Sequence, residues 1–361
     1  AVYYRLTTLD LDSPMHLKPD SRIALLMHEG TQGPMGKTGL SLLRFSQSPI
    51  VAVIDYQAAG RSLVDLTGID KAIPVVESLT EALTFTPDVL TIGIAPSGGK
   101  LPEAWFKDIE QAVKAGLSIV NGLHTPMANH PALQPWLRPD QWIWDVRKEP
   151  EGLTVGSGQA RQLACKRILT VGTDMSVGKM SATLELHRAC LERGLRSKVI
   201  ATGQTNLMLG DDGVPLDAIR VDYASGAIEQ QVLRYGPDHD FIFIEGQGSL
   251  LNPASTATLP LLRGTQPTHL VLVHRAGQTH IHNFPHVNIP DLPSVVNLYE
   301  QVTTAAGAFY PAKVVAIALN TGHLSAVEAE AAVQEIEAQT KLPCADIFRT
   351  GADKLLAPIL S

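Results

Sequence analysis

The stretch GTDMSVGKMS, which runs from Gly172 to Ser181, has the residue types and the spacing of a phosphate-binding loop. It follows an apolar run and leads into a helix-forming segment. Its glycines let successive backbone N–H groups converge on an anion, the helix start adds its positive dipole end, and the lysine adds a point charge. A tight turn with a solvated lysine is the alternative, but the order of strand, glycines, lysine and helix favours a phosphate site. The candidate cofactor-binding residues here are Gly172, Thr173, Asp174, Gly178, Lys179, Met180 and Ser181.

Met180 occupies the position where such loops usually carry a serine or threonine that holds Mg²⁺. Either Ser181 or Thr173 supplies that hydroxyl, or the phosphates are held without a tightly bound metal. The spacing is one residue longer than GxxxxGK[ST] and is similar to the GxxxxxGKT variant of dethiobiotin synthetase and its P-loop relatives. The sequence therefore leaves Mg²⁺ open as a cofactor.

Polar residues follow two further strands of the same half of the chain. Glu245 comes directly after the apolar run FIFI, where P-loop proteins commonly place an acid that orients magnesium-bound water. A carboxylate at a strand end can also cap a neighbouring helix, but the nearby loop favours a functional role. Gln204, Thr205 and Asn206 follow a strand at the edge where ligands collect in open α/β sheets, so we predict that they contact a ligand.

A second glycine loop, EGTQGPMGKTG, lies near the start of the chain. It fits GxxGxxG as well as GxxxxxGKT, and VAVIDY then places an aspartate at the end of the next strand, where Rossmann-type folds often bind a ribose hydroxyl. Similar loops occur in proteins that bind nothing, so the ligand and the structural interpretations both stay open. The candidate contacts to an adenine nucleotide or coenzyme A are Gly30, Gly33, Gly36, Lys37, Thr38 and Asp55.

Four of the twelve histidines lie within 13 residues, at His274, His280, His282 and His286. On a strand, the pair His280 and His282 would point to one face and suit zinc. The proline-rich continuation indicates a loop instead, so we predict no metal site. A loop at a strand end also suits a general base or donors to a carboxylate, while any single histidine can equally be a surface or structural residue.

Short apolar runs alternate with helix-length amphipathic segments along the whole chain, which is typical of parallel sheets with crossover helices. The polar stretch RKEPEGLTVGSGQAR separates two such series. We therefore predict an α/β protein with a Rossmann-like parallel sheet at residues 1–150 and a P-loop NTPase-like three-layer α/β/α domain at 151–361. Strands are predicted at 22–28, 49–55, 72–76, 88–95, 117–123, 166–172, 197–202, 240–246, 269–274 and 312–320. The clearest helices are predicted at 102–116, 179–193 and 325–340.

The composition excludes several classes of protein. At 361 residues the chain exceeds the size of one hydrophobic core, and with 18% charged residues it is typical of globular proteins. A net charge of -7 argues against a nucleic-acid partner, which is gripped through excess lysine and arginine. No apolar run is long enough to cross a membrane and no signal pattern opens the chain, so we expect a cytoplasmic protein. Three cysteines without CxxC spacing suggest neither disulfides nor a thiolate metal site.

An ordered series of motifs resembles a bacterial and archaeal family described as a domain of unknown function, some members of which are D-glutamate N-acetyltransferases. The resemblance covers nearly the whole chain. It is carried in the first half by EGTQGPMGKTG, AVIDYQAAG, IVNGLHTPMANHPAL and WDVRKEP, and in the second by GTDMSVGKMSATLEL, ATGQTNLML, DYASGAIEQQVL, EGQGSLLNPA, THIHNFPH and ALNT. The family architecture, a Rossmann-like domain followed by a P-loop domain, agrees with the prediction above, and a methionine after the P-loop lysine is ordinary for it.

The resemblance implies acetyl transfer from acetyl-CoA to the amino group of an acidic amino acid. Such chemistry needs a base, donors for an oxyanion and a grip on the cofactor phosphates. Lys179 and its neighbours would provide the grip, Glu245 or His280 the base, and Arg147 or Arg275 a partner for the substrate carboxylate.

Two other functions stay open at this point. One is an ATP- and Mg²⁺-dependent kinase or ligase of the dethiobiotin synthetase type, and the other is a non-catalytic nucleotide sensor. For each of them we expect a small-molecule ligand, a homo-oligomer, and neither nucleic acid nor membrane as a partner.

Overall fold

The computed structural model describes residues 17–96 and 101–361. The chain divides into two compact units. The first contains the described residues up to Glu151 together with Gln204–Asp211, and the second contains Gly152–Gly203 and Asp212–Ser361. The short segment Gln204–Asp211 thus clusters with the first unit although it lies within the sequence of the second.

The first unit is built on a parallel six-stranded sheet in the order β3-β2-β1-β4-β5-β6. The strand order reverses between β1 and β4, which in open α/β sheets is the point where a crevice forms at the carboxyl ends of the strands. The strands are β1 (Ile23–Leu26), β2 (Ile50–Ile54), β3 (Val75–Val76), β4 (Val89–Ile92), β5 (Ser118–Asn121) and β6 (Ile143–Asp145). The helices are α1 (Lys37–Phe45), α2 (Leu63–Thr67), α3 (Leu79–Ala82) and α4 (Glu103–Ala115).

The bounds of α4 follow from its terminal residues. Pro102 stands directly before the first helical residue, and Gly116 ends the helix in the left-handed region with φ 99°. A glycine adopts this conformation without the penalty that a side chain carries. The helix buries Trp105 and Ile109 against the sheet. The helix predicted at 102–116 is therefore confirmed to within one residue at each end.

The second unit has its own parallel six-stranded sheet, in the order β14-β13-β10-β7-β9-β8. The strands of this unit are β7 (Lys166–Gly172), β8 (Ser197–Ile200), β9 (Phe241–Ile244), β10 (His269–Arg275), β11 (His280–Ile281), β12 (Phe284–Asn288), β13 (Lys313–Asn320) and β14 (Cys344–Ala345). The remaining helices are α5 (Lys179–Glu192), α6 (Gln204–Met208, clustered with the first unit), α7 (Val221–Tyr235), α8 (Thr258–Thr265), α9 (Leu292–Thr304), α10 (Ala326–Thr340), α11 (Ile347–Thr350) and α12 (Asp353–Leu360).

Helices cover both faces of the second sheet. Along β7, Leu169 belongs to one apolar cluster, which includes Ile228 of α7, while its neighbour Ile168 belongs to another, which includes Leu186 of α5. Successive side chains of a strand point to opposite faces. The alternation therefore places β7 in the middle of three layers, as the sequence predicts.

The sequence-based prediction misses the short strands and the small antiparallel sheet. All ten predicted strands are present, and β7 has the predicted bounds. β6 and β14 are not predicted, because they have only three and two residues, which is too short to show a pattern of apolar residues. The segment after His280 is predicted as a loop, and this is wrong: β11 and β12 form an antiparallel hairpin around a turn in which Asn283 has φ 68°.

The two-domain α/β fold class is confirmed. The three cysteines are free and buried. Within residues 17–96 and 101–361, no helix combines the length and the apolar character needed to span a bilayer.

Candidate functional site

The loop between β7 and α5 encloses the ammonium group of its own lysine. Lys179 is the first residue of α5 and is only 6% exposed, and its Nζ donates to the backbone oxygen of Asp174 at 2.8 Å. Gly178 has φ 116°, a conformation in which a side chain is strained. A Cβ at Gly172 would lie 3.0 Å from Lys179 Nζ. Gly178 therefore provides a backbone conformation that other residues adopt only with strain, and Gly172 leaves room for the ammonium group. The loop has the form of a phosphate cradle.

Within this loop the side chains of Asp174 and Thr173 are both engaged by other protein groups. Both residues are fully buried. Thr173 Oγ1 lies 2.9 Å from Nδ1 of His274, and both oxygens of Asp174 accept hydrogen bonds from protein groups. These side chains support the loop, so any contact that these two residues make to a phosphate would come from the backbone.

The Asp174 carboxylate takes four hydrogen bonds. Oδ1 accepts from the Met175 N–H at 2.6 Å and from Asn252 Nδ2 at 2.7 Å, and Oδ2 accepts from Gln278 Nε2 at 2.7 Å and from the His282 N–H at 2.6 Å. Burial acts to raise the pKa of this carboxyl, but the hydrogen bonds outweigh it, so the pKa lies below its ordinary value. The carboxyl is therefore ionised at neutral pH.

The start of α5 offers few hydroxyl groups for a metal. Met180 and Ser181 are both half-buried in its first turn. The sequence offers the hydroxyl of Thr173 or of Ser181 as a ligand to Mg²⁺ in place of Met180. The Thr173 hydroxyl is hydrogen-bonded to His274, so Ser181 is the remaining candidate. One turn further on, the Thr183 hydroxyl donates to the Lys179 carbonyl at 2.9 Å. Within the two described ranges, no three His, Cys, Asp or Glu side chains are grouped closely enough to hold a metal ion.

Glu245 lies beside the phosphate loop because β9 is a direct neighbour of β7 in the sheet. Its side chain is 5% exposed, and Oε2 accepts from the backbone N–H groups of Thr202 at 3.0 Å and Gly203 at 3.1 Å. A Cβ at the next residue, Gly246, would lie 1.7 Å from the Thr170 carbonyl oxygen and 3.0 Å from Lys179 Cδ. The strand end that carries Glu245 therefore packs against the stem of the lysine, and the structure brings these two predicted residues together.

The hairpin β11–β12 carries three of the four clustered histidines. His280, His282 and His286 are exposed, and Nδ1 of His280 lies 2.8 Å from the Thr279 hydroxyl. His274 differs from them because it is buried at the end of β10. Arg275 directly follows it and is exposed. The hairpin contacts the phosphate loop through the hydrogen bonds to Asp174 described above.

The glycine loop of the first unit is held by the aspartate that follows β2. Asp55 is 2% exposed, and its carboxylate accepts from the N–H groups of Glu29 at 3.1 Å and Thr31 at 3.2 Å, as well as from the Thr31 hydroxyl. A Cβ at Gly33 would lie 1.9 Å from the Glu29 oxygen, and one at Gly36 would lie 1.8 Å from the backbone oxygen of Gly30. The loop is thus folded tightly on itself, and Asp55 holds it in place.

The two lysines of the GxxxxxGK pattern differ sharply in exposure. Lys179 is enclosed by its loop, whereas Lys37 is exposed at the start of α1. The next residue, Thr38, is buried, and its hydroxyl accepts from Thr205 Oγ1 at 3.4 Å within the first unit. The enclosed lysine distinguishes the second loop as the stronger phosphate-binding candidate. Ligand binding by the first loop stays a prediction.

The other predicted substrate contacts lie in the first unit. Gln204 and Thr205 are half-buried on α6, and a Cβ at Gly122 would lie 3.3 Å from Gln204 Cγ. Arg147 donates from Nε to the Gly122 oxygen at 2.8 Å, and its Nη1 lies 2.9 Å from His124 Nε2. Asn206 is fully buried.

Sequence reasoning did not assign a role to three residues that support the phosphate loop. Asn252 and Gln278 hold Asp174, and Thr202 holds Glu245. All three are polar residues shortly after the carboxyl end of a strand. That position is the signal that could have found them, because these strand ends meet at one edge of a parallel sheet.

A Rossmann-like unit and a P-loop unit, each with a glycine-rich loop after its first strand, define a two-domain α/β protein of the P-loop class. Residues 56–149 match the Rossmann-like domain of unknown function DUF1611_N, and residues 154–356 match the P-loop domain of unknown function DUF1611_C. The chain belongs to the DUF1611 family, which confirms the family resemblance seen in the sequence.

The fold and the sequence are similar to those of several known proteins. The crystal structure of a DUF1611 family protein from Anabaena variabilis ATCC 29413 is 59% identical with a TM-score of 0.93, covering 94% of this chain and 99% of that one. A D-glutamate N-acetyltransferase of Tritonibacter scottomollicae is 36% identical over 281 residues, 77% of this chain and 83% of that one. One from Pseudoalteromonas sp. is 33% identical over 285 residues, 78% of this chain and 83% of that one.

The buried His274 gives the second unit a testable pH dependence. Burial lowers the pKa of this imidazole from 6.5 to about 4. In the unfolded chain this imidazole therefore binds a proton at a higher pH than in the folded one. Its contribution to the free energy of unfolding is fully present above pH 6.5 and is lost as the pH falls towards 4. By linkage this residue alone removes up to about 2 kcal/mol between pH 7 and pH 5. Urea unfolding at the two pH values should show a smaller decline for His274→Gln than for the wild type. An equal decline in the free energy of unfolding of the two proteins would contradict the lowered pKa of His274.

Proposed function

We propose that the protein is an acetyl-CoA-dependent N-acetyltransferase that acts on an acidic amino acid such as D-glutamate. The structural observation that carries this proposal is the enclosed Lys179 beside a methionine in place of the magnesium-binding hydroxyl. Such a loop is suited to hold phosphates rather than to transfer them. The two relatives named D-glutamate N-acetyltransferase support the reaction and the acceptor.

The phosphate loop supplies the grip on the cofactor. Coenzyme A carries several phosphates, and acetyl-CoA supplies an activated acetyl group when bound. The backbone N–H groups at the start of α5 and the ammonium of Lys179 are the donors that suit such anions. The residues present therefore fit a phosphorylated cofactor, and Gly178, Lys179, Met180 and Ser181 would hold it.

Glu245 is our candidate for the base that removes a proton from the acceptor ammonium. It is buried and held in one position by two backbone N–H groups, and the strand end that carries it packs against the stem of Lys179. His280 is the alternative, but its imidazole is exposed on the hairpin. A fixed position near the reacting groups favours proton transfer, so the geometry supports Glu245 over His280.

Arg275 is our candidate for the partner of the substrate carboxylate. It lies at the end of β10, directly next to β7, and its side chain is exposed. A guanidinium forms two parallel hydrogen bonds with a carboxylate. Arg147 stays an alternative, although its Nε is already bound to the Gly122 oxygen.

An ATP- and Mg²⁺-dependent kinase or ligase is the second candidate. The observation that favours it is the acid at the end of the strand beside the phosphate loop, where magnesium-dependent P-loop enzymes also carry one. Calorimetry separates the two functions. Tight binding of ATP that requires Mg²⁺, without binding of acetyl-CoA, would favour this second candidate.

The direct test is the release of free thiol from acetyl-CoA in the presence of single amino acids. We expect release with D-glutamate or a closely related acidic amino acid, and the product should be the N-acetyl derivative by mass spectrometry. A panel of acidic, neutral and basic amino acids without any release would refute the proposal.

Replacing Lys179 by alanine should weaken cofactor binding. The loop would lose the ammonium group that it encloses, so we expect the Kd for coenzyme A to rise at least tenfold in calorimetry. Lys107→Ala is the matched control, because Lys107 is exposed on α4 and its removal changes the net charge equally. An unchanged Kd in Lys179→Ala, with circular dichroism intact, would contradict the role of the loop.

Replacing Glu245 by glutamine should reduce kcat by about 100-fold or more, the usual contribution of a general base. The amide keeps an oxygen for the two backbone N–H donors but cannot take a proton from the acceptor. We expect the Kd for coenzyme A to change little, and the acidic limb of the pH–rate profile to disappear. A retained kcat together with a large loss in His280→Ala would transfer the role to the histidine.

A further inference from the structure

Asp174 presents an unusual combination for a residue of a phosphate loop. Its carboxylate is ionised and fully buried, although the loop is expected to bind anions. Each of its two oxygens accepts one hydrogen bond from a backbone N–H and one from a side-chain amide. The carboxylate is thus surrounded by four protein donors.

These donors come from three separate segments of the second unit. Met175 belongs to the phosphate loop itself, and Asn252 follows β9. Gln278 and His282 belong to the hairpin region, and His282 donates from the turn between β11 and β12. One side chain therefore connects the phosphate loop, the segment after Glu245 and the tip of the histidine hairpin.

The hairpin has little apolar packing of its own to fix its position. Ile281 is buried at 1% exposure, but the other six residues of β11 and β12 are exposed or half-buried. A two-stranded hairpin is marginally stable in isolation. Hydrogen bonds to an ionised acceptor are stronger than neutral ones, so the two bonds to Asp174 are a substantial part of what holds the tip.

We propose that Asp174 is a positioning residue whose carboxylate fixes the β11–β12 hairpin against the phosphate loop and does not itself contact the cofactor. The proposal deepens the acetyltransferase function and, in its catalytic part, rests on it. The hairpin presents the exposed side chains of His280 and His282 next to the loop that would hold the donor. By fixing the hairpin, Asp174 positions the side chains that line the binding site of the acceptor amino acid.

The geometry makes Asp174→Asn a sharp probe. Asparagine keeps the size but turns one acceptor oxygen into an NH₂ group, and each oxygen faces a backbone N–H that cannot reorient. Rotating the Asn252 amide to compensate would break its bond from the Ala254 N–H, and rotating Gln278 would break its bond to the His280 oxygen. One backbone donor is left without its acceptor in either orientation, at a cost typical of a buried unsatisfied group.

The test compares Asp174→Asn with a matched control in the same unit. Asp346 is also a buried aspartate, 5% exposed, that accepts from the Thr321 N–H and from the Phe348 N–H. It directly follows β14, which is the edge strand of the sheet. Hydrogen exchange, coenzyme A binding by calorimetry and steady-state kinetics are measured for both variants. Gln278→Ala is the second probe, because it removes one bond on the hairpin side and leaves the carboxylate in place.

For Asp174→Asn we expect amides at 278–288 to exchange at least tenfold faster, with the Kd for coenzyme A changed less than threefold. The KM for the acceptor should rise at least tenfold. Gln278→Ala should show the same pattern more weakly, and Asp346→Asn should show unchanged exchange at 278–288 despite a loss of stability.

Unchanged exchange of the hairpin in Asp174→Asn and Gln278→Ala would overturn the positioning role. Loss of coenzyme A binding with the hairpin still protected would also overturn it, because Asp174 would then act on the cofactor. The exchange result is independent of turnover. If the wild type released no thiol from acetyl-CoA, the proposed function would fail while faster exchange in the variants would still establish the anchor.

Discussion

The enclosure of the Lys179 ammonium by its own loop is the constraint on which the rest of the second unit depends. A buried charge is costly unless it is hydrogen-bonded, and here the Asp174 backbone oxygen accepts from Nζ at 2.8 Å. The enclosure also needs space. Gly172 and Gly246 border the lysine, and at each of them a Cβ would come within 3.0 Å of its side chain. Because Gly246 follows β9, this strand must lie directly beside β7, and the order of the sheet provides that neighbour.

The same loop combines a cation and an anion that do not neutralise each other by direct contact. Lys179 Nζ binds the backbone oxygen of Asp174, while the carboxylate of that residue binds amides of other segments. The ammonium and the carboxylate are thus directed to different groups, and the negative charge is balanced by N–H dipoles. This separation explains how an acidic side chain is compatible with a loop that would bind anions.

The sequence predicts the scaffold better than the environment of individual residues. The bounds of β7 and the start of α5 follow from local patterns, namely an apolar run, glycines and a helix-forming segment. The two GxxxxxGK loops, by contrast, look alike in sequence. Their difference depends on contacts between distant residues: Asp55 holds the first loop 24 to 26 positions away, and Asn252 supports the second from 78 positions away. No local pattern contains such pairs, which is also why the roles of Asn252 and Gln278 were missed.

The β11–β12 hairpin shows why the sequence pattern did not predict the strands next to the candidate site. Proline and exposed histidines reduce the apolar alternation that identifies a strand, so the segment after His280 resembles a loop. Its position is fixed by contacts with the rest of the second unit, namely the burial of Ile281 and the hydrogen bonds from Gln278 and His282 to Asp174. A segment that depends on such contacts can change its sequence and its exposed side chains without disturbing the sheet beneath it. The phosphate loop has less freedom, because Gly178 has a positive φ and Gly172 lies in close contact with the enclosed lysine. Under the proposed function, the acceptor side of the site would therefore tolerate substitutions that the grip on the cofactor phosphates would not.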